Sequence, residues 1–113
     1  MKYAVDKKEQ FVVFTIMEEK LDSTLSPQLK SELLTVHAEG YKNLILDMGS
    51  VKYADSSGLS ALLVGNRAFN EIGGVFVLSS LQEHVVKLLK ISMLDKVFKV
   101  VDDNEAAAEA FFI

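Results

Sequence analysis

Hydrophobic and polar positions along the chain alternate between a period of two and a helical period. Tyr3, Val5 and Lys7 alternate with Ala4 and Asp6, the pattern of an edge strand with one wet face. After Lys8-Glu9-Gln10, both alternating sets in residues 11–17 are apolar and rich in β-branched and aromatic side chains, which predicts a central strand paired with the first as a hairpin. A polar loop over residues 18–24 leads to Ser26 and Pro27, suited to the N-cap and first position of a helix through Leu29, Leu33 and Val36 that Gly40 closes. The run Leu44-Ile45-Leu46 predicts a strand covered on both faces. Leu59, Leu62, Leu63, Phe69 and Ile72 then recur at helical spacing, so a helix starts close to Ser56. Gly73-Gly74 turn the chain into a third buried strand at residues 75–78. Ser80-Leu81-Gln82-Glu83 has capping-box spacing ahead of a helix through Val85, Val86, Leu88 and Leu89. Residues 97–101 predict a final edge strand, and Asp102-Asp103-Asn104-Glu105 a cap on a terminal helix that ends in Phe111-Phe112-Ile113.

The order is therefore β-β-α-β-α-β-α-β-α, an α/β arrangement. Helices between strands imply parallel crossovers and the opening hairpin adds an antiparallel pair, giving a mixed sheet packed with about four helices. Residues 1–113 are expected to form one domain with a single core. A net charge of −4, with no more than two consecutive basic residues, argues against nucleic acid as a partner. The chain has no cysteine, which removes disulfides, Cys-ligated zinc and cysteine nucleophiles. No apolar run approaches signal-peptide or membrane-span length, so a cytoplasmic protein is expected, with no direct membrane insertion.

In a mixed sheet of this kind the functional edge lies where strands end and helices begin. Asp55-Ser56-Ser57-Gly58 occupies such a junction. Ser and Asp commonly cap the free amides of a first turn, but one cap suffices. Laid out at 100° per residue, Ser57 points with Ala61 and Ala68, whereas Ser56 points with Ser60 and Arg67 towards the polar side. Ser56 is thus the better-presented hydroxyl. A phosphate at a helix N-terminus suits the fold, yet adds about −1.5 to −2 charges beside Asp55. Asp55 either orients the hydroxyl or caps the helix. Val64, aligned with Ser60, Arg67 and Glu71, would offer a partner one apolar contact on the same face.

Enzyme chemistry finds little footing. A nucleophile elbow needs G-x-S-x-G, and the residues here are Ala54-Asp55-Ser56-Ser57-Gly58. Gly73-Gly74 precedes a strand rather than opening a helix, and no G-K-[ST] follows. Gly65 inside the helix reads as a close-packing position. His37 falls at the edge of an apolar stripe and His84 faces solvent; neither has a second His or Cys at metal-ligand spacing.

The run from Asp47-Met48-Gly49 through Ala54-Asp55-Ser56-Ser57-Gly58-Leu59 resembles the signature of the STAS domain, specifically the bacterial anti-sigma factor antagonists. Leu21-Asp22 resembles the family's loop Leu-Asp pair, and Ile72-Gly73-Gly74 its Gly-Gly before the next strand. Two positions depart from the pattern: Glu19 and Ser60 stand where glycines are usual. The resemblance implies a STAS-like fold and a non-enzymatic protein with no cofactor, acting in sigma factor regulation. It implies phosphorylation on Ser56 by an anti-sigma factor that is also an ATP-dependent serine kinase, bound only before phosphorylation, and a phosphatase that acts on phospho-Ser56. The expected partner surface comprises Asp22, Asp55, Ser57, Gly58, Ser60, Val64 and Arg67. The family also holds subunits of lipid- and anion-transport assemblies, which gives an alternative: a binding module in which Ser56 is only a cap.

Overall fold

A computed structural model describes residues 1–109. The expected hairpin is formed by β1 (Tyr3–Lys7) and β2 (Val12–Ile16), antiparallel with Tyr3 opposite Ile16 and Lys7 opposite Val12. Three further strands, β4 (Asn43–Asp47), β6 (Val75–Ser79) and β7 (Lys99–Val101), add in parallel to give the order β1-β2-β4-β6-β7. Two short strands that periodicity did not predict, β3 (Lys20–Leu21) and β5 (Tyr53–Ala54), pair separately, Lys20 opposite Tyr53 and Leu21 opposite Ala54. The helices are α1 (Ser26–Ala38), α2 (Ser56–Glu71), α3 (Glu83–Ile91) and α4 (Asn104–Glu109).

Alternation along the central strands divides the core between the two faces of the sheet. Val12, Phe14, Ile16, Leu44, Leu46, Phe76 and Leu78 meet α1, α2 and α3 in the larger core. On the other face Phe11, Ile45 and Val77 meet Ala107 of α4 in a smaller one. Buried on both faces, β4 and β6 hold their apolar runs for the reason that covered parallel strands require. Gly65 allows α2 close to the sheet: a Cβ there would lie 2.8 Å from Cε2 of Phe76.

Several local expectations are corrected. Ser26 is not the N-cap of α1; that position falls to Leu25, which has no side-chain cap bond. The Asp22 carbonyl accepts the Leu25 and Ser26 amides at 3.1 and 2.9 Å, so the turn closes one residue early and the Ser26 side chain is carried inside, 2% exposed. The capping box at residues 80–83 does not form either. Ser80 has φ +60° and donates its amide to Val101, while Gln82 takes the cap position and spends its side chain on the Gly49 carbonyl at 2.6 Å. Asp103 does cap the terminal helix, accepting the Ala106 amide at 2.8 Å. The final strand begins at Lys99 rather than residue 97, and Val64 is half-buried rather than exposed. Phe111, Phe112 and Ile113 lie outside the described residues. His37 packs edge-on against Phe69 at 5.4 Å, and His84 is exposed, its ring edge-on to Tyr53 at 5.1 Å.

Candidate functional site

Asp55 begins the site. Its backbone is extended, φ −114° and ψ −173°, as an N-cap requires. The Oδ1 atom accepts the amides of Ser57 and Gly58, each at 3.0 Å, and the Ser57 hydroxyl at 2.5 Å. The Asp55 carbonyl takes the Leu59 amide at 3.0 Å. The Asp55 side chain therefore caps α2 through the Ser57 and Gly58 amides, and its carbonyl starts the helical ladder at Leu59.

Ser57 is consumed in that cap. Its oxygen also accepts a contact from the buried Ser26 hydroxyl at 3.2 Å, and Ser26 lies 2.7 Å from the Asp22 carbonyl. A chain of hydroxyls thus ties the Asp22 loop to Asp55. Ser56, one residue earlier on the helix, is exposed, and its hydroxyl has no hydrogen-bond partner among the described residues. The two adjacent serines differ for a simple reason: one faces α1, the other faces solvent.

The β3–β5 pair brings Asp22 beside Asp55. The Leu21 carbonyl accepts the Asp55 amide at 3.2 Å, and the Glu19 carbonyl accepts those of Lys52 and Tyr53 at 2.7 and 3.1 Å. Gly58 makes this approach possible, since a Cβ on it would stand 2.5 Å from the Leu21 oxygen. A depression of about 120 Å³ lies between the strands, lined by Leu21, Ala54, Tyr53 and the two aspartates.

Both carboxylates are held below the ordinary aspartate range. For Asp55 the largest cause is the Ser57 hydroxyl, then the Gly58 amide. For Asp22 it is the Thr24 hydroxyl at 2.6 Å, then the Thr24 amide at 3.0 Å, partly opposed by the charge of Asp55. Two ionised aspartates therefore stand beside a free hydroxyl at neutral pH. Of the remaining expected partner residues, Ser60 and Val64 are half-buried along α2 and Arg67 is exposed about three turns on from Ser56. Sequence reasoning overlooked Ser26 and the half-exposed Tyr53; burial of a small hydroxyl and a two-residue strand leave no periodic signal.

The STAS domain profile matches residues 2–108. The chain belongs to the STAS domain family. Over 111 residues it is 31% identical to BtrV of Bordetella bronchiseptica, named as an anti-sigma factor antagonist, covering 98% of this chain and 95% of that one. Among solved structures, an anti-sigma factor antagonist of Thermotoga maritima superimposes with a TM-score of 0.89 at 23% identity, covering 98% and 95% of the two chains. SpoIIAA of Bacillus, solved unphosphorylated and phosphorylated, gives a TM-score of 0.74 in both forms, at 18% and 19% identity over 96% of this chain and 96% and 99% of the others. At these identities the structures bear on the STAS fold alone. The four-helix mixed architecture expected from the pattern is that of the family.

Proposed function

We propose that this STAS protein is an anti-sigma factor antagonist switched by phosphorylation of Ser56. In the unphosphorylated form the exposed side of α2 and the Asp22 loop bind an anti-sigma factor that is also a serine kinase. The kinase moves the γ-phosphoryl group of ATP to the Ser56 oxygen, releasing ADP and a proton, and the complex separates. A phosphatase hydrolyses phospho-Ser56 and resets the surface. The chain contributes recognition, and the chemistry belongs to its partners.

The observation that carries this reading is the division of labour between the two serines. Asp55 and Ser57 complete the cap, so Ser56 has no structural duty and its oxygen is open to a macromolecule. The same bonds decide where a phosphate goes. With the Ser57 and Gly58 amides held by Asp55, a phosphate on Ser56 finds few free amides at the helix start and adds its charge to the exposed surface beside Asp55. A partner fitted to a neutral alcohol then meets concentrated negative charge. The relationship to BtrV, named as an anti-sigma factor antagonist, supports the pathway.

Incubation with the cognate kinase and ATP is expected to add one phosphate, mapped by peptide mass spectrometry to Ser56 and absent from Ser56→Ala. Phosphate on Ser57 would overturn the assignment.

A further inference from the structure

We propose that the corner formed by the end of α3 and the turn into β7 docks on an anionic lipid surface. Ile91 and Met93 are 81% and 82% exposed, and Val97 46%. Hydrogen bonds hold them in one compact turn: the Met93 amide donates to the Lys90 carbonyl at 3.1 Å, and the Val97 amide to that of Leu94 at 3.0 Å. The fold makes little use of these apolar side chains. Met93 moreover takes φ +59°, a left-handed conformation that disfavours any residue with a Cβ. Neither burial nor backbone geometry accounts for a methionine there.

Charge supplies the partner. Residues 87–99 hold Lys87, Lys90, Lys96 and Lys99 against Asp95 alone, four of the chain's 12 basic residues and one of its 16 acidic ones. Lys87 pairs with Glu83 at 3.1 Å, whereas Lys90, Lys96 and Lys99 are exposed with no ion pair among the described residues. An acidic protein thus presents one basic corner tipped with bare aliphatic side chains.

Ile91 and Met93, more than four-fifths exposed, are almost uncovered by the rest of the fold. A rigid protein partner would have to supply the whole pocket, while the boundary of a bilayer takes up isolated apolar tips without shape matching and rewards nearby lysines. The position is compatible with the switch. Helix α3 ends where β7 starts, at the end of the sheet opposite the Asp55–Ser56 junction, so a docked molecule keeps Ser56 turned away from the lipid.

Vesicles of phosphatidylcholine alone, and of phosphatidylcholine mixed with phosphatidylglycerol, provide the test by co-sedimentation at low and physiological salt. The protein is expected to sediment with the anionic vesicles only, less so as salt rises. Ile91→Ser with Met93→Gly, and separately Lys90→Glu with Lys96→Glu, are expected to lower the bound fraction about tenfold. Met93→Gly suits the left-handed backbone, and far-UV circular dichroism together with unchanged phosphorylation by the kinase would verify that each variant is folded and that the Ser56 surface is intact. Failure to bind anionic vesicles, equal binding to both kinds, or binding unaltered in either variant would overturn the proposal.

Discussion

The Leu21 carbonyl oxygen and Cα of Gly58 are so close that a methyl group on the glycine would stand 2.5 Å from that oxygen. This contact joins the β3 loop, with Asp22, to the start of α2, with Ser56. Gly58→Ala gains helix propensity of about 1 kcal/mol. It also forces backbone from backbone, and overpacking of that kind costs about 1–3 kcal/mol. The steric term is expected to win because the Leu21 oxygen also holds the Asp55 amide and cannot retreat freely. A lower urea midpoint, together with weaker kinase binding, would check it.

The two serines predict opposite phenotypes. Ser57→Ala removes the hydroxyl bonded to Asp55 and to Ser26, and is expected to cost about 1 kcal/mol in urea unfolding while the kinase still phosphorylates residue 56. Ser56→Ala removes nothing the fold uses. Its stability should stay within about 0.5 kcal/mol while phosphorylation disappears.

Acid should weaken the site before neutral or alkaline conditions do. The folded-state pKa of Asp55 lies below its unfolded value, so the ionised cap contributes fully above the ordinary aspartate range of about 4, and that contribution is lost as pH falls through the lowered folded value. Asp22 acts in the same sense. Urea unfolding followed from about pH 6 to about pH 3 should show a falling midpoint, with a shallower fall in Asp55→Asn.

Gly65→Ala offers a control at a distance from the switch. The new Cβ would lie 2.8 Å from Phe76 and 3.0 Å from Leu33, so a loss of about 1–3 kcal/mol is expected. Site occupancy by phosphate should be unchanged. A drop in both stability and phosphorylation would show that Ser56 presentation depends on core packing more broadly than the local cap implies.

The long elements were legible because their side chains repeat: residues 11–17 and 44–46 carry the apolar density of covered strands, and α2 shows its stripe at Leu59, Leu62 and Phe69. The β3–β5 pair was not, since two residues per strand are too few to show a period, and their pairing comes from Gly58 admitting Leu21. Caps failed where the local backbone carried the expected capping residue into another role. Asp22 displaced Ser26 in this way, and the left-handed turn at Ser80 displaced the capping box. The separation of Ser56 from Ser57 was readable from helical angle alone; the role of Ser26 was not, because a helical wheel gives no account of what a neighbouring loop brings.

Isothermal titration of the cognate anti-sigma factor with the unphosphorylated protein and with protein phosphorylated at Ser56 addresses the switch itself. The dianion is expected to weaken the complex at least about tenfold, a difference of about 1.4 kcal/mol, with the circular dichroism of the two forms superimposable. Equal affinities for the two forms would contradict it.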